Sequence, residues 1–316
     1  MSNANANINM KATVKAGAEA RSGKPGSIFE DANRKQIAAR RRIDWVLRML
    51  FLIATSIGVL ALMALLIDIL SDGIGRLQPE LFNNFPSRRA TEAGMKSAIV
   101  GSLYMLAIMA PLSFLLGVGA AIYLEEYAKK NRLTRIIQLN ISTLAGVPSI
   151  VYGILGLTLF VRELHLGRSL LSGAFTMTLL VLPIIIVSAQ EAIRAVPKSR
   201  RDASFALGAT KWQTVSRSVL PSSISGILTG VILAMSRAIG ETAPLVMIGA
   251  LTFVAFLPDN PMDSFTVMPI QIYNWVSRPQ ASFQELAAAG IIVLLVMLLL
   301  MNFSAILLRN KYNKHI

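Results

Sequence analysis

Arg237 and Glu241 stand four residues apart in Ser-Arg-Ala-Ile-Gly-Glu-Thr-Ala-Pro-Leu, residues 236–245, inside an otherwise apolar run. On a helix that spacing puts a guanidinium and a carboxylate on one face, close enough to pair. The planar guanidinium is also a fork for the oxygens of an anion. Two readings follow: a structural ion pair, or a station on the route of an anion. A buried pair is a weak stabiliser, because desolvation offsets attraction, and this favours the second reading. Arg237 then binds the anion and Glu241 competes for the arginine, so that cargo is released. Pro244 lacks an N–H and crowds the carbonyl of Gly240, so a kink or break is expected beside the pair, with Gly240 and Pro244 as a gate hinge.

Other chemistry is poorly served. The nearest match to a phosphate-cradling Gly-x4-Gly-Lys-Ser/Thr loop, Gly17 to Pro25, has five residues between its glycines and ends on proline where a hydroxyl is required. Cysteine is absent and the only histidines are His165 and His315, so metal centres and thiol or imidazole catalysis are not expected. The reading is therefore no enzyme and no cofactor of its own. Energy for any pumping has to come from an ion gradient or from a separate ATPase subunit.

The elements that must position the pair are membrane helices. The 316 residues are 54% hydrophobic and only 15% charged, with a mean hydropathy of +0.57, which excludes an ordinary soluble domain. Apolar windows of about 20 residues or more fall at 46–70, 97–124, 137–161, 169–189, 224–251 and 286–308. The expected fold is an all-α polytopic membrane protein of six transmembrane helices. The net charge of +14 could suggest nucleic acid, but its distribution follows the membrane. Basic residues crowd the N-terminal arm, the loops after the second and fourth spans, and the tail. The opposite loops hold only Arg76, Arg88, Arg89, Lys96, Arg162, Arg168 and Arg278, which puts both termini in the cytoplasm of a membrane protein with lipid, not nucleic acid, around it. Residues 1–42 read as a disordered basic arm and 43–316 as the membrane domain. Trp45, Tyr273 and Trp275 fall where amphipathic rings sit at a membrane interface. Gly226 and Gly230, four apart, permit close approach of another helix, with no partner specified.

Residues 190–221, between the fourth and fifth spans, are too patterned for a linker. Ser199 with Asp202 and Thr210 with Gln213 have the form of capping boxes, Gly208 between them suits a helix stop, and Pro221 closes the segment. Helix, elbow, helix is expected, with Phe205, Leu207, Trp212 and Val215 as apolar faces. A segment lying on lipid through Arg200, Arg201, Lys211 and Arg217 is the competing reading.

Here the residues resemble a known pattern. Asp202-Ala203-Ser204, three residues, Gly208, nine residues, then Ser218-Val219-Leu220-Pro221 is similar to the EAA loop of ABC importer permeases, with Asp202 for Glu, Ser204 for Ala and Ser218 for Ile. The resemblance implies the type I ABC importer permease fold. It also implies that Asp202, Ala203, Ser204, Gly208, Leu220 and Pro221 belong to a coupling helix that docks on a cytoplasmic ATPase, where ATP is bound. Gly146 to Gly153, Arg237 to Leu245 and Met268 to Trp275 resemble the PstA-type permeases of bacterial phosphate importers, from about residue 43 to the end. Glu-Thr-Ala-Pro-Leu favours that type over the homologous PstC type. The resemblance implies phosphate as cargo, with a PstC-like second permease, a PstB-like ATPase dimer and a PstS-like external phosphate-binding protein as partners. A permease for another oxyanion and an ion-coupled secondary transporter or channel are the alternatives.

Overall fold

The computed structural model describes residues 26–250 and 253–313. The chain divides into two units at Ile67/Asp68. The first consists of α1, Gly26–Gly73, up to Ile67. Of the arm expected to be disordered over 1–42, residues 1–25 lie outside the described residues. From Gly26 the backbone is helical and enters the first span without a break.

The second unit is built from α2 (Pro79–Asn83), α3 (Lys96–Ile122), α4 (Arg132–Leu144), α5 (Ser149–Gly156), α6 (Leu170–Arg194), α7 (Lys198–Ala206), α8 (Lys211–Thr214), α9 (Leu220–Ile239), α10 (Ala243–Ile248), α11 (Met268–Val276) and α12 (Ala281–Asn313). Three π-helical turns continue α3, α5 and α8: Tyr123–Tyr127, Leu157–Glu163 and Val215–Val219. Among the described residues five stretches are long and apolar enough to cross a bilayer: Ile43–Arg76, Lys96–Tyr127, Leu170–Arg194, Lys211–Ile239 and Ala281–Lys311. A sixth exists if Arg132–Leu144 and Ser149–Glu163 count as one span.

That pair is bent by 106°, so the third span is not the straight helix expected over 137–161. The cause is local. Pro148 disfavours helical geometry at Val147 and cannot donate into the preceding turn, so α5 restarts on Pro148 as its N-cap. α4 shows what the hydropathy window averaged away: Leu133, Ile136 and Ile137 share one face, Arg132 and Arg135 flank it, and none of its residues is buried.

α6 is the axis of the unit. It buries Met177, Val181, Ile185, Ala189 and Ile193 against α3 and α9. Gly226 and Gly230 find their partner here: a Cβ at Gly230 would come within 2.2 Å of Ser188 Oγ, and one at Gly226 within 2.8 Å of Ala192 Cβ. The close-approach stripe is thus spent inside the chain, on α6. At the end of the unit away from the 190–221 loop, residues 253–267 lie over the starts of α3 and α6. The N–H groups of Leu170 and Leu171 donate to the carbonyls of Asp263 and Pro261 (3.0 and 2.8 Å), and Ser97 Oγ donates to Val254 O (2.7 Å). Trp275 is fully buried in a cluster with Met95, Phe283 and Leu286. It is a core residue and not an interfacial ring, whereas Tyr273 on the other face of α11 is exposed.

Candidate functional site

The apolar run 224–251 expected as one span is interrupted where the charges lie. α9 ends at Ile239, and Gly240 N–H and Glu241 N–H turn back to the carbonyls of Arg237 and Ala238 (3.2 and 3.1 Å). α10 begins at Ala243 with Pro244 in its first turn, where the missing N–H costs no helical bond. Leu245 and Val246 donate to Thr242 O (3.1 and 3.0 Å). Of the kink or break expected beside the pair, the chain has the break: Gly240, Glu241 and Thr242 separate α9 from α10, and Pro244 is the second residue of α10. Proline at this place starts a helix, so the chain meets its demands by stopping and restarting.

Arg237 occupies the last turn of α9, where the negative end of the helix dipole favours a cation by about 0.3–1 kcal/mol. Its Nε donates to Glu241 Oε1 at 3.3 Å. The Arg237 side chain is 56% exposed and that of Glu241 21%. Among the described residues the terminal guanidinium nitrogens of Arg237 make no hydrogen bond, so the edge that would grip an anion is open. Gly230 and Ala234 on the same helix are buried, Gly230 against Ser188 of α6. Arg237 stands outside that packing, beyond Leu233, which is 65% exposed.

Two contacts fix α9 at this level. Gly230 abuts Ser188 on α6, and Ser236 Oγ is hydrogen bonded to Asn302 on α12. Depth follows from the register. Ser188 lies six residues before Arg194, the end of α6, and Arg237 lies seven residues beyond Gly230. At 1.5 Å per residue Arg237 is roughly 20 Å from the Arg194 end, within a hydrocarbon layer about 30 Å thick. A cation there costs about 2.5–3.5 kcal/mol on insertion scales unless paired or wetted. The α10 restart is held by α5: a Cβ at Gly153 would lie 2.7 Å from Pro244 Cα and 2.8 Å from Met247 Cβ. Two stretches singled out in the sequence, 146–153 and 237–245, thus meet in space.

The 190–221 segment forms the expected elbow with two differences. α7 starts on Pro197, not Ser199, because proline's fixed φ of −57° presets the N-cap, and Ser199 falls inside the first turn. α7 ends in a Schellman motif: Gly208, φ +80°, donates to Phe205 O (2.9 Å) and Ala209 to Ser204 O (3.2 Å). The capping box at Thr210 and Gln213 is complete. The second difference is at Pro221, which does not end the segment: Lys211–Ile239 is one continuous helical stretch. The π turn at Val215–Val219 widens the helix by one residue before the proline, which relieves the clash its ring would make one turn back.

Asp202 and Ala203 are exposed on α7, and Ser204 Oγ bonds Thr214 Oγ1 (2.9 Å), tying α7 to α8. Leu207, Trp212 and Phe205 project from the elbow at 89%, 64% and 47% exposure, whereas Val215 is buried. Leu220 and Pro221 line an apolar groove of about 590 Å³ with Phe114, Val118 and Ile122 of α3. This set and the Arg237 pair lie at opposite ends of α9 and form two sites.

Sequence reading passed over the carboxylates that anchor the elbow. Glu126 Oε1 accepts from Arg201 at 2.8 Å, with side chains only 10% and 17% exposed, and Glu125 pairs with Arg194 at 3.0 Å. The signal available was Glu125-Glu126 at the end of an apolar run, opposite a loop rich in arginine.

Comparison with known proteins adds identity to this geometry. Residues 113–314 match the family described as binding-protein-dependent transport system inner membrane component. The chain is 31% identical to a probable ABC transporter permease protein, YqgI, of Bacillus subtilis, over 84% of this chain and 95% of that one. It is also 31% identical to the phosphate transport system permease protein PstA of Yersinia pestis, over 87% and 92%. Among solved structures it resembles a bacterial ABC transporter involved in the import of the acidic polysaccharide alginate, with a TM-score of 0.62 and 13% identity, covering 87% of this chain and 99% of that one.

Proposed function

The chain belongs to the binding-protein-dependent transport system inner membrane components, and within that family we propose that it is the permease subunit of an ATP-driven phosphate importer. Such a subunit forms half of the translocation path and hands the mechanical work to a separate ATPase. The relatives named as phosphate permeases support the cargo. What carries the reading in the geometry is Arg237: a guanidinium roughly 20 Å deep, held through Nε alone, with its terminal nitrogens open.

Phosphate supplies several oxygens to that free edge, and a bidentate contact is stronger than a single charged hydrogen bond. Glu241 keeps the site weak. Its carboxylate competes for the same guanidinium, so the anion displaces one contact on entering and is itself displaced on leaving. The break at Gly240 to Thr242 lets α10 move on α9 and acts as the gate. The open face at Leu233, Arg237 and Gly240 is where a homologous PstC-like permease completes the path. The exposed elbow at Leu207 and Trp212 is the surface for a PstB-like ATPase dimer, with Asp202, Ala203, Ser204, Gly208, Leu220 and Pro221 holding its shape and base. Cargo arrives from a PstS-like external phosphate-binding protein, and the basic loops put both termini in the cytoplasm.

The test is phosphate uptake by the reconstituted complex with Arg237→Gln and Arg237→Lys. Loss of uptake in the glutamine variant, with subunits still assembled, is expected; the lysine variant keeps charge but loses the fork and falls between. Normal uptake by Arg237→Gln would remove the anion-route role. Sulfate or molybdate uptake in place of phosphate would reassign the cargo within the oxyanions.

A further inference from the structure

Arg201 is in the first turn of α7, yet its guanidinium faces back toward the membrane unit. Nη1 donates to Val196 O (2.5 Å), just past the end of α6, and Nη2 to Ile193 O (2.9 Å), which also accepts from Val196 N–H (3.2 Å). Nε and Nη2 also donate to Glu126 Oε1 (3.0 and 2.8 Å). One side chain of α7 thus bonds two other elements, the end of α6 and the π turn that ends α3. The pair is shielded, at 17% and 10% exposure, unlike Arg194 and Glu125 beside it, at 52% and 20%.

The division of labour within this guanidinium is informative. The two carbonyl bonds set the angle between α6 and α7 and need only Arg201. The Glu126 bonds are a separate tie, running across the chain to α3. Glu126 itself sits in a π-helical turn, Tyr123–Tyr127, and a second π turn, Val215–Val219, lies on the far side of the elbow. Such turns carry one residue more than the α-helix and are common where a helix changes register in function. We infer that Glu126 is a positioning residue that latches the coupling elbow to α3, so that movement of α7 driven by the ATPase is passed to α3 as well as to α6 and α9. Without the latch, the elbow remains folded and docked but drives only part of the membrane unit. This rests on the coupling role given to the elbow above.

The assay is the reconstituted full complex carrying Glu126→Gln, with Glu126→Asp as the conservative control. Phosphate transported and ATP hydrolysed are measured together. The glutamine variant leaves Arg201 on its two carbonyls, so the ATPase is expected to copurify and hydrolyse as before. Transport per ATP is expected to fall about tenfold, a mid-range coupling between contacting residues, and Glu126→Asp is expected to recover most of it. Because the chain has no cysteine, spin labels at Tyr123→Cys and Ala206→Cys report the α3–α7 distance directly. Wild type should give a narrow distribution and Glu126→Gln a broad one. An unchanged transport-to-hydrolysis ratio and an unchanged distribution would overturn the latch, as would loss of the bound ATPase with coupling per remaining ATPase intact. A wild-type complex that neither binds an ATPase nor moves phosphate would instead overturn the proposed function, and the label distances would still decide the latch.

Discussion

Gly208 offers a perturbation whose effects on the chain and on its partner separate cleanly. Its φ is +80°, in the left-handed region, and a Cβ built on it meets no atom within 4 Å. Alanine therefore suffers no clash inside the chain; it carries only the left-handed penalty, about 1–2 kcal/mol. Two hydrogen bonds depend on that conformation, Gly208 N–H to Phe205 O and Ala209 N–H to Ser204 O. If the penalty is relieved by opening them, the elbow population falls by a factor of about 5 to 30, since 1.4 kcal/mol is tenfold. Asparagine tolerates left-handed backbone far better, so Gly208→Asn should keep the elbow. Gly208→Trp adds to the alanine strain a bulk that only a docked partner would feel. ATPase retained through purification and hydrolysis stimulated by cargo should rank Gly, Asn, Ala, Trp, with the alanine loss matching the strain. If asparagine is as damaging as alanine, conformation is not the controlling factor and the space beside Gly208 is. If all three variants behave as wild type, the elbow does not couple to an ATPase.

Glu241→Gln should lower both KM and kcat for phosphate uptake, because the anion is held by an arginine with no charged competitor; a raised KM would contradict the displacement role. Ser204→Ala removes the bond to Thr214 Oγ1 and should cost about 1 kcal/mol, read as increased protease nicking between 206 and 211, with the membrane unit's Tm unchanged. Gly230→Leu forces a side chain into Ser188 on α6 and should destabilise the detergent-solubilised complex by about 1–3 kcal/mol, seen as a lower Tm in thermal unfolding; an unchanged Tm would mean that α6 and α9 are not in the contact described. Asn302→Ala should loosen α9 at Ser236 and lower uptake while leaving ATPase binding intact, measured as initial rate against copurified ATPase.

Much of this protein could be read along the chain because local chemistry is enough to write it. A run of apolar residues longer than a bilayer is thick must become a helix that satisfies its own backbone, and five of the expected spans have a counterpart long enough to cross. The Schellman stop at Gly208 and the capping box at Thr210 and Gln213 need only residues within one turn of one another, and both formed where the residue types placed them. The same holds for the ion pair of Arg237 and Glu241, four residues apart. Local reading erred where two local signals competed. Ser199 has the form of an N-cap, but Pro197 two residues earlier presets the start; Pro221 has the form of a stop, but a π turn upstream absorbs it.

Other features depend on who faces whom, and no window of sequence contains that. Hydropathy averaged α4 and α5 into one span, although Pro148 divides them by 106°. Trp275 and Tyr273 are two residues apart, yet α11 turns the first into a core and leaves the second exposed. Gly226 and Gly230 announced a close contact without saying that Ala192 and Ser188 supply it. Glu126 and Arg201 are separated by 75 residues and meet only because α3 and α6 pack along their lengths. Sequence by itself determined which residues enter the membrane and where the elbow bends, since those are set by burial and by bonds within a turn. Only the tertiary structure decided which helix each small residue admits, which face of α9 leaves Arg237 open, and which carboxylate holds the elbow, because each depends on the packing of helices distant in the chain.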